Sequence, residues 1–427
     1  MLSDKTAKRC GAARGLSGAV CAALLAITAA TPAAAYEFDK PVEQALRFGQ
    51  DENKYGQVKF DLRYRYENAN QENVTVRTAN ANTERLRLGY LTPEFHGLQA
   101  FVEYEGNLSL QDDYNSLRNG KNQFSVIADP QTQELNQAWL TYKGIPDTTI
   151  KGGRQRIKLD NDRFIGNVGW RQMEQTYDSA LVTNQSIANL TIRAGYIGQV
   201  NDIFSRVNSM NSPILNMDYQ FDKWGQLTGY AYWLDFDNNP ALANNSNQTY
   251  GGYFAGSPKL TDTVTAHYRA EYAWQQNYGS SNLSYQDDYI HLMAGASAFG
   301  FTLKAGIEQL DGANGKGFDT PLATKHAFQG WADVFLRTPG DGVRDVYSSL
   351  ATKVFSTKLM FVYHNFNDDT GKIAYGDEYD FLAVKKFGKH YLLLAKYALY
   401  DAAGDGSGSA PYNKNTQRLW LQAGVSY

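Results

Sequence analysis

The stretch LWLQAGVSY, residues 419–427, sets Leu419, Leu421, Ala423, Val425 and Tyr427 on one side and Trp420, Gln422, Gly424 and Ser426 on the other. Alternation with a period of two forms a strand with one apolar and one more polar face. A last strand ending on an aromatic residue is typical of bacterial outer-membrane barrels, whose strands turn apolar side chains to lipid and polar ones to the lumen.

The pattern recurs upstream with charges on its polar face. Val58, Phe60, Leu62, Tyr64 and Tyr66 alternate with Lys59, Asp61, Arg63, Arg65 and Glu67, and Val264 to Trp274 repeat the pattern around His267, Arg269 and Glu271. Residues 98–105 follow it with Phe101 as the exception. This phase puts Arg63, Arg65, Arg87 and Arg269 on the lumen face, opposite lipid-facing Tyr64, Leu88 and Tyr268. The same face carries Asp61, Glu67, Glu103, Glu105, Glu271, Glu308, Glu378 and Asp380, so the expected lumen is mixed in charge. A negative mean hydropathy beside 29 tyrosines and 21 phenylalanines fits a wall in which every second strand residue meets lipid.

Connections alternate between short and long. The short ones, near 92–97, 144–148, 185–189, 222–226, 256–261, 299–300, 354–356 and 388–390, read as periplasmic turns. The long polar ones, at 68–81, 111–131, 159–176, 199–213, 237–248, 276–286, 311–342, 367–376 and 401–415, read as extracellular loops. Eight turns and nine loops separate eighteen antiparallel strands with both ends on the periplasmic side. Residues 328–336 resemble a strand, but a nineteenth would leave one end on the wrong side, so they are assigned to a loop folded toward the lumen. A soluble sandwich or propeller also alternates. The unequal connections, the closing aromatic and the aromatics near strand ends favour the membrane barrel.

At the other end, Lys5, Lys8, Arg9 and Arg14 precede an apolar run and Ala33-Ala34-Ala35, the form of a secretory leader cleaved after residue 35. The expected organisation is a leader at 1–35, a short periplasmic segment at 36–53 and a barrel at 54–427, with inward-folded loops near 159–176 and 311–342. Removing the leader takes four of 41 basic and one of 44 acidic residues, leaving a net charge of −6 with no nucleic-acid signature. Both cysteines, Cys10 and Cys21, go with it, which excludes disulfides and thiol chemistry in the mature chain.

The densest polar stretch is GRQRIKLDNDRFIGNVGWRQMEQTYDSA at 153–180, which sets Arg154, Arg156, Lys158, Arg163 and Arg171 against Asp160, Asp162, Glu174 and Asp178. Guanidinium groups bind carboxylates through planar paired donors, or pin a loop by pairing with acids of their own chain. Phase alone assembles no Ser-His-Asp set from the six scattered histidines, so no enzyme is expected. Asp-rich loops such as 401–408 lack the full calcium-loop pattern, so neither a metal nor a cofactor is expected.

The 153–180 segment, Thr83 to Gly89, Leu62 to Glu67, and Gly330 to Leu336 followed by Thr338-Pro339 and Val343 to Tyr347 together resemble the alginate export family of outer-membrane porins. The resemblance implies an eighteen-stranded monomeric barrel whose basic constriction passes an anionic uronate polymer. It implies pore-lining roles for Arg63, Arg65, Arg87, Arg154, Arg163 and Arg171, with Glu174 and Asp178 as acidic partners. Arg269 joins them by phase. The expected surroundings are outer-membrane lipid and lipopolysaccharide, and the expected partner is an anionic or polar solute, with docking of periplasmic biosynthetic proteins left open. A less selective uptake porin is the alternative, followed by a barrel enzyme or adhesin.

Overall fold

The computed structural model describes residues 35–50, 52–72, 76–404 and 410–427; the leader lies outside the described residues except for Ala35. A helix, α1 (Ala35–Leu46), precedes thirteen strands: β1 (Gln57–Gln71), β2 (Ala79–Leu91), β3 (Leu98–Asp113), β4 (Thr132–Ile145), β5 (Thr148–Gln155), β6 (Thr176–Asn184), β7 (Leu190–Asn201), β8 (Val207–Phe221), β9 (Gly225–Leu234), β10 (Asn247–Gly256), β11 (Val264–Asn277), β12 (Gln286–Ala298) and β13 (Phe301–Leu310). A two-strand hairpin, β14 (Gly312–Ala313) and β15 (Lys316–Gly317), stands in the next loop. The wall resumes with β16 (Val343–Val354), β17 (Thr357–Asn367), β18 (Ala374–Phe387), β19 (Tyr391–Ala402) and β20 (Thr416–Ser426).

Each wall strand pairs antiparallel with its neighbour in sequence, and β1 pairs with β20 to close an eighteen-stranded barrel. Closure pairs the two end strands and removes the free edges of an open sheet. The register carries the alternation from strand to strand: Leu62 faces Val425 and Tyr64 faces Ala423, while Arg63 faces Gly424 and Arg65 faces Gln422. Outward positions such as Tyr64, Leu88, Val102, Leu292, Leu303 and Leu350 form an exposed apolar band, whereas Arg65, Glu67, Arg85 and Glu105 are buried. The band is the lipid-facing surface of an outer-membrane barrel. No helix among the described residues is long and apolar enough to cross a membrane.

The loops are shorter than their composition suggests. The expected loop at 199–213 shrinks to 202–206, because Gln199, Val200 and Asn201 pair with Ser209, Asn208 and Val207. The expected loop at 68–81 shrinks to 72–78 for the same reason, with Asn68 opposite Asn80 and Ala69 opposite Ala79. Strand ends above the lipid need no apolar face, so polar sequence there is still strand. Residues 328–336 contain no strand and lie within the connection from β13 to β16.

The interior is less wet than a charged lumen implies. The connections at 156–175 and 311–342 turn inward and carry Ile157, Phe164, Ile165, Phe318, Leu322 and Phe335 into contact with Tyr230, Tyr232, Tyr289, Phe366 and Tyr400 of the wall. Phe164 lies 5.0 Å from Tyr230 and 5.5 Å from Tyr289 between ring centroids. Burial of this aromatic cluster fixes both loops inside the barrel. The loops also bond to each other: Gly166 N–H donates to the Leu322 carbonyl at 2.9 Å, and Thr324 N–H to that of Asp162 at 2.9 Å.

Candidate functional site

Strand alternation delivers Arg63, Arg65, Glu67, Arg85, Arg87, Glu103 and Glu105 to one sector of the inner wall, on β1 to β3. The loop at 156–175 brings Arg156, Lys158, Asp162, Arg171 and Glu174 against it. Two ion networks result.

The first centres on Glu174, whose side chain is 0% exposed. Arg156 Nε donates to its Oε1 at 2.5 Å, Asn136 Nδ2 at 2.5 Å and Asn167 Nδ2 to its Oε2 at 2.7 Å, while Arg87 Nη2 stands 3.5 Å from Oε2. Burial alone would raise this carboxyl, but Arg87 and Arg156 outweigh it and hold it down at about 2. Arg87 also pairs with Glu105, and Arg156 with Glu103 at 2.9 Å.

The second network locks the loops. Arg171 reaches Asp333 of the long loop at 2.7 Å, Glu67 of β1 at 3.2 Å and Asp129 of the 114–131 loop at 3.6 Å. Arg63 donates to the carbonyls of Gly169, Trp170 and Arg171 at 3.2–3.3 Å. Arg65 donates to Gln422 at 2.7 Å and stacks 4.2 Å from the Trp170 ring centroid. Asp333 accepts from His326 Nδ1 at 2.6 Å, and Lys396 Nζ donates to His326 Nε2 at 2.7 Å, which makes the imidazole neutral. Burial depresses the His326 pKa to about 3, while His326 and Arg171 hold that of Asp333 below its usual value despite burial. Glu378 and Asp380 accept the backbone N–H groups of Ala332 and Trp331 at 2.6 and 3.2 Å.

Between the networks lies a cavity of about 420 Å³, lined by Arg87, Arg156, Lys158, Asp162, Asn167, Gly169, Trp170 and Thr324. Lys158 is 55% exposed and Arg156 31%, whereas Glu105 and Glu174, which neutralise the arginines, are fully buried behind them. The cavity therefore meets cations first. Lys158 pairs with Asp162 at 3.0 Å, the acid on the lining; burial raises the Asp162 carboxyl above its ordinary value.

The expected site residues thus divide. Arg87 and Glu174 meet at the cavity, while Arg63, Arg65 and Arg171 hold loops beside it. Arg163 is committed to Glu308 at 2.8 Å and Gln329 at 3.1 Å. Arg269 stands on another sector, paired with Glu271 at 2.7 Å and 3.8 Å from the Tyr253 ring centroid. Arg154 and Asp178 bond each other at 2.7 and 2.9 Å. They occupy the phase of exposed Ile150 and Val182, so this pair lies on the outer face of the wall and not in the pore. The 153–180 segment contains the β5 end, where Arg154 points out and the chain then leaves the sheet, so the motif alone does not give side-chain direction. Arg156 and Lys158, from the same segment, are the ones that reach the cavity. Arg85 and Arg418 were signalled by period two, from Arg87 and Trp420. Lys396 had no such signal, because its face of β19 also carries Leu394, Ala398 and Tyr400.

The chain matches the family model described as Alginate export over residues 54–306, more than half of its length. It belongs to the alginate export family. Similar solved structures are Pseudomonas aeruginosa OccK9 (16% identity, TM-score 0.66, 87% of this chain and 98% of that one) and Acinetobacter baumannii OccAB3 (14%, 0.68, 87% and 99%). A BenF-like porin from Pseudomonas fluorescens Pf-5 is similar as well, at 15% identity and TM-score 0.67 over 87% and 99% of the two chains. No curated protein matches by sequence. Fold and family make this alginate export barrel an outer-membrane porin.

Proposed function

We propose that the barrel passes anionic, uronate-type carbohydrate solutes passively through the opening beside Arg87, Arg156 and Lys158. One observation carries the reading: the cations face the cavity, while Glu105 and Glu174 sit behind them without exposure. A ring of charged side chains at a narrow point sets the field a permeating ion meets. Arginine and lysine there lower the cost of moving a carboxylate, and Asp162 keeps the hold weak enough for release. The apolar cluster of inward loops fills other sectors and confines passage to this polar one. No chemical step is part of this reading.

Planar-bilayer recording under a salt gradient tests it. The native barrel should prefer anions, and Arg87→Gln/Arg156→Gln/Lys158→Gln should lose or reverse that preference while still conducting. Equal anion and cation permeability in the native barrel would leave a general porin for polar solutes and refute the selective reading.

A further inference from the structure

A second cavity, of about 290 Å³, lies on the extracellular side of the inward loops. Its position follows from its walls: Asp202 comes from the β7–β8 connection, Phe236 and Leu242 from the β9–β10 connection, and Lys316, Lys325 and Arg337 from the loop between β13 and β16. All three connections are at the extracellular end.

The charges around it do not balance. Asp319 is taken by Lys316 at 2.8 Å, and Asp202 by Arg206 at 2.8 Å. Lys325 and Arg337 have no side-chain hydrogen bond or ion pair among the described residues, and both line the cavity. Two cations thus face a space whose acids already have partners. Burial pushes the Lys325 pKa down and the neighbouring Arg337, Arg163 and Lys316 add to that against Asp319, so its charge is held at a cost an anion would relieve. Phe236, Leu242 and Leu322 supply apolar surface suited to the C–H face of a pyranose. The side-chain amide of Asn245 supplies a partner for a hydroxyl.

Resting on the anionic-solute reading above, we propose that this cavity is an extracellular binding station for one carboxylated sugar unit. Its carboxylate sits between Lys325 and Arg337 and its ring lies against Phe236 and Leu242. The station is separate from the opening at Arg87 and Arg156, so a solute is held at two points on its way through the barrel.

Calorimetry with D-glucuronate, and D-glucose as the neutral control, tests it on the folded full-length barrel in detergent. The native protein should bind glucuronate and not glucose. Lys325→Gln/Arg337→Gln should weaken binding roughly tenfold or more, the loss expected when charge-assisted contacts are removed, with anion preference in bilayers retained. Arg87→Gln/Arg156→Gln should do the reverse. Lys325→Arg should retain binding, which separates loss of charge from misfolding. In bilayers of oriented channels, glucuronate added on the extracellular side should interrupt the current in a way the Lys325/Arg337 variant abolishes. Unchanged binding in that variant, or no binding by the native protein, overturns the station while leaving the selective channel standing. Binding at the station in a barrel without anion preference would instead overturn the channel reading.

Discussion

Single charges at the opening are not equivalent, because their surroundings differ. Asp162 lines the cavity with a carboxyl whose pKa burial raises, and Lys158 beside it remains largely exposed. Protonating Asp162 removes the negative charge of the lining, so anion preference should rise as pH falls towards the carboxyl range, starting above the pH at which an ordinary aspartate would respond. Asp162→Asn should show the raised preference already at neutral pH and a flatter pH profile; reversal potentials read both. A charge at close range in water is worth about 1 kcal/mol, so the change should be roughly fivefold in permeability ratio. Glu174 behaves differently, being buried and shared by Arg87 and Arg156. Its folded pKa is depressed, so its contribution to stability is complete above about 4.5 and is lost as pH falls towards about 2. Glu174→Gln leaves two arginines facing each other without their shared acid and should cost about 3 kcal/mol or more. Urea unfolding in lipid vesicles at neutral pH, followed by tryptophan fluorescence, would measure this, and an unchanged midpoint would contradict the assigned role.

The inward loops act as elements held at several points rather than as free flaps. Residues 329–333 are gripped by the backbone contacts to Glu378 and Asp380, by Arg418 through the Ala332 carbonyl at 2.8 Å, and by Arg171 through Asp333. Gly330 makes this fit possible: its φ is +78°, and an added Cβ would stand 2.3 Å from the Glu378 carboxylate. Gly330→Ala should therefore lift the segment off β18 without opening the barrel wall. Single-channel records should show larger and noisier conductance, with the heat-induced shift in gel mobility retained. The His326 contact adds a pH dependence with a defined sign. A free imidazole binds a proton near pH 6.5, and the docked one only near pH 3. The undocked loop thus holds more protons between these values, so docking is complete above about 6.5 and weakens as pH falls towards 3. Current noise should grow over that interval in the native barrel, and His326→Gln should remove the trend.

At the scale of the whole molecule, closure was legible because parity and phase are global properties: two ends on one side demand an even number of strands, whatever happens at one ambiguous segment. The lumen positions of Arg63, Arg65 and Arg87 were legible for the same reason, since a period of two fixes a face. What sequence could not convey was the third dimension of the loops. Arg171 becomes a structural hub only because Asp129 and Asp333, distant in the chain, converge on it, and Arg154 turns outward because β5 keeps its phase to Gln155. The aromatic filling was hidden too, because Phe164 and Phe318 lie in stretches dominated by polar residues. The assignment of the short connections to the periplasm puts the Lys325 and Arg337 cavity outside, and that has a direct test. Ala241 lies in the β9–β10 connection and Lys389 in the β18–β19 turn, both exposed and at opposite ends of the barrel. The only cysteines of the sequence, Cys10 and Cys21, fall in the stretch read as a leader, so single cysteines placed elsewhere report without background from the mature chain. On intact cells a membrane-impermeant maleimide should label Ala241→Cys, and should label Lys389→Cys only after the outer membrane is permeabilised. The opposite pattern would invert the barrel and move the Lys325 and Arg337 cavity to the periplasmic side, so that a solute entering from outside would meet Arg87 and Arg156 first.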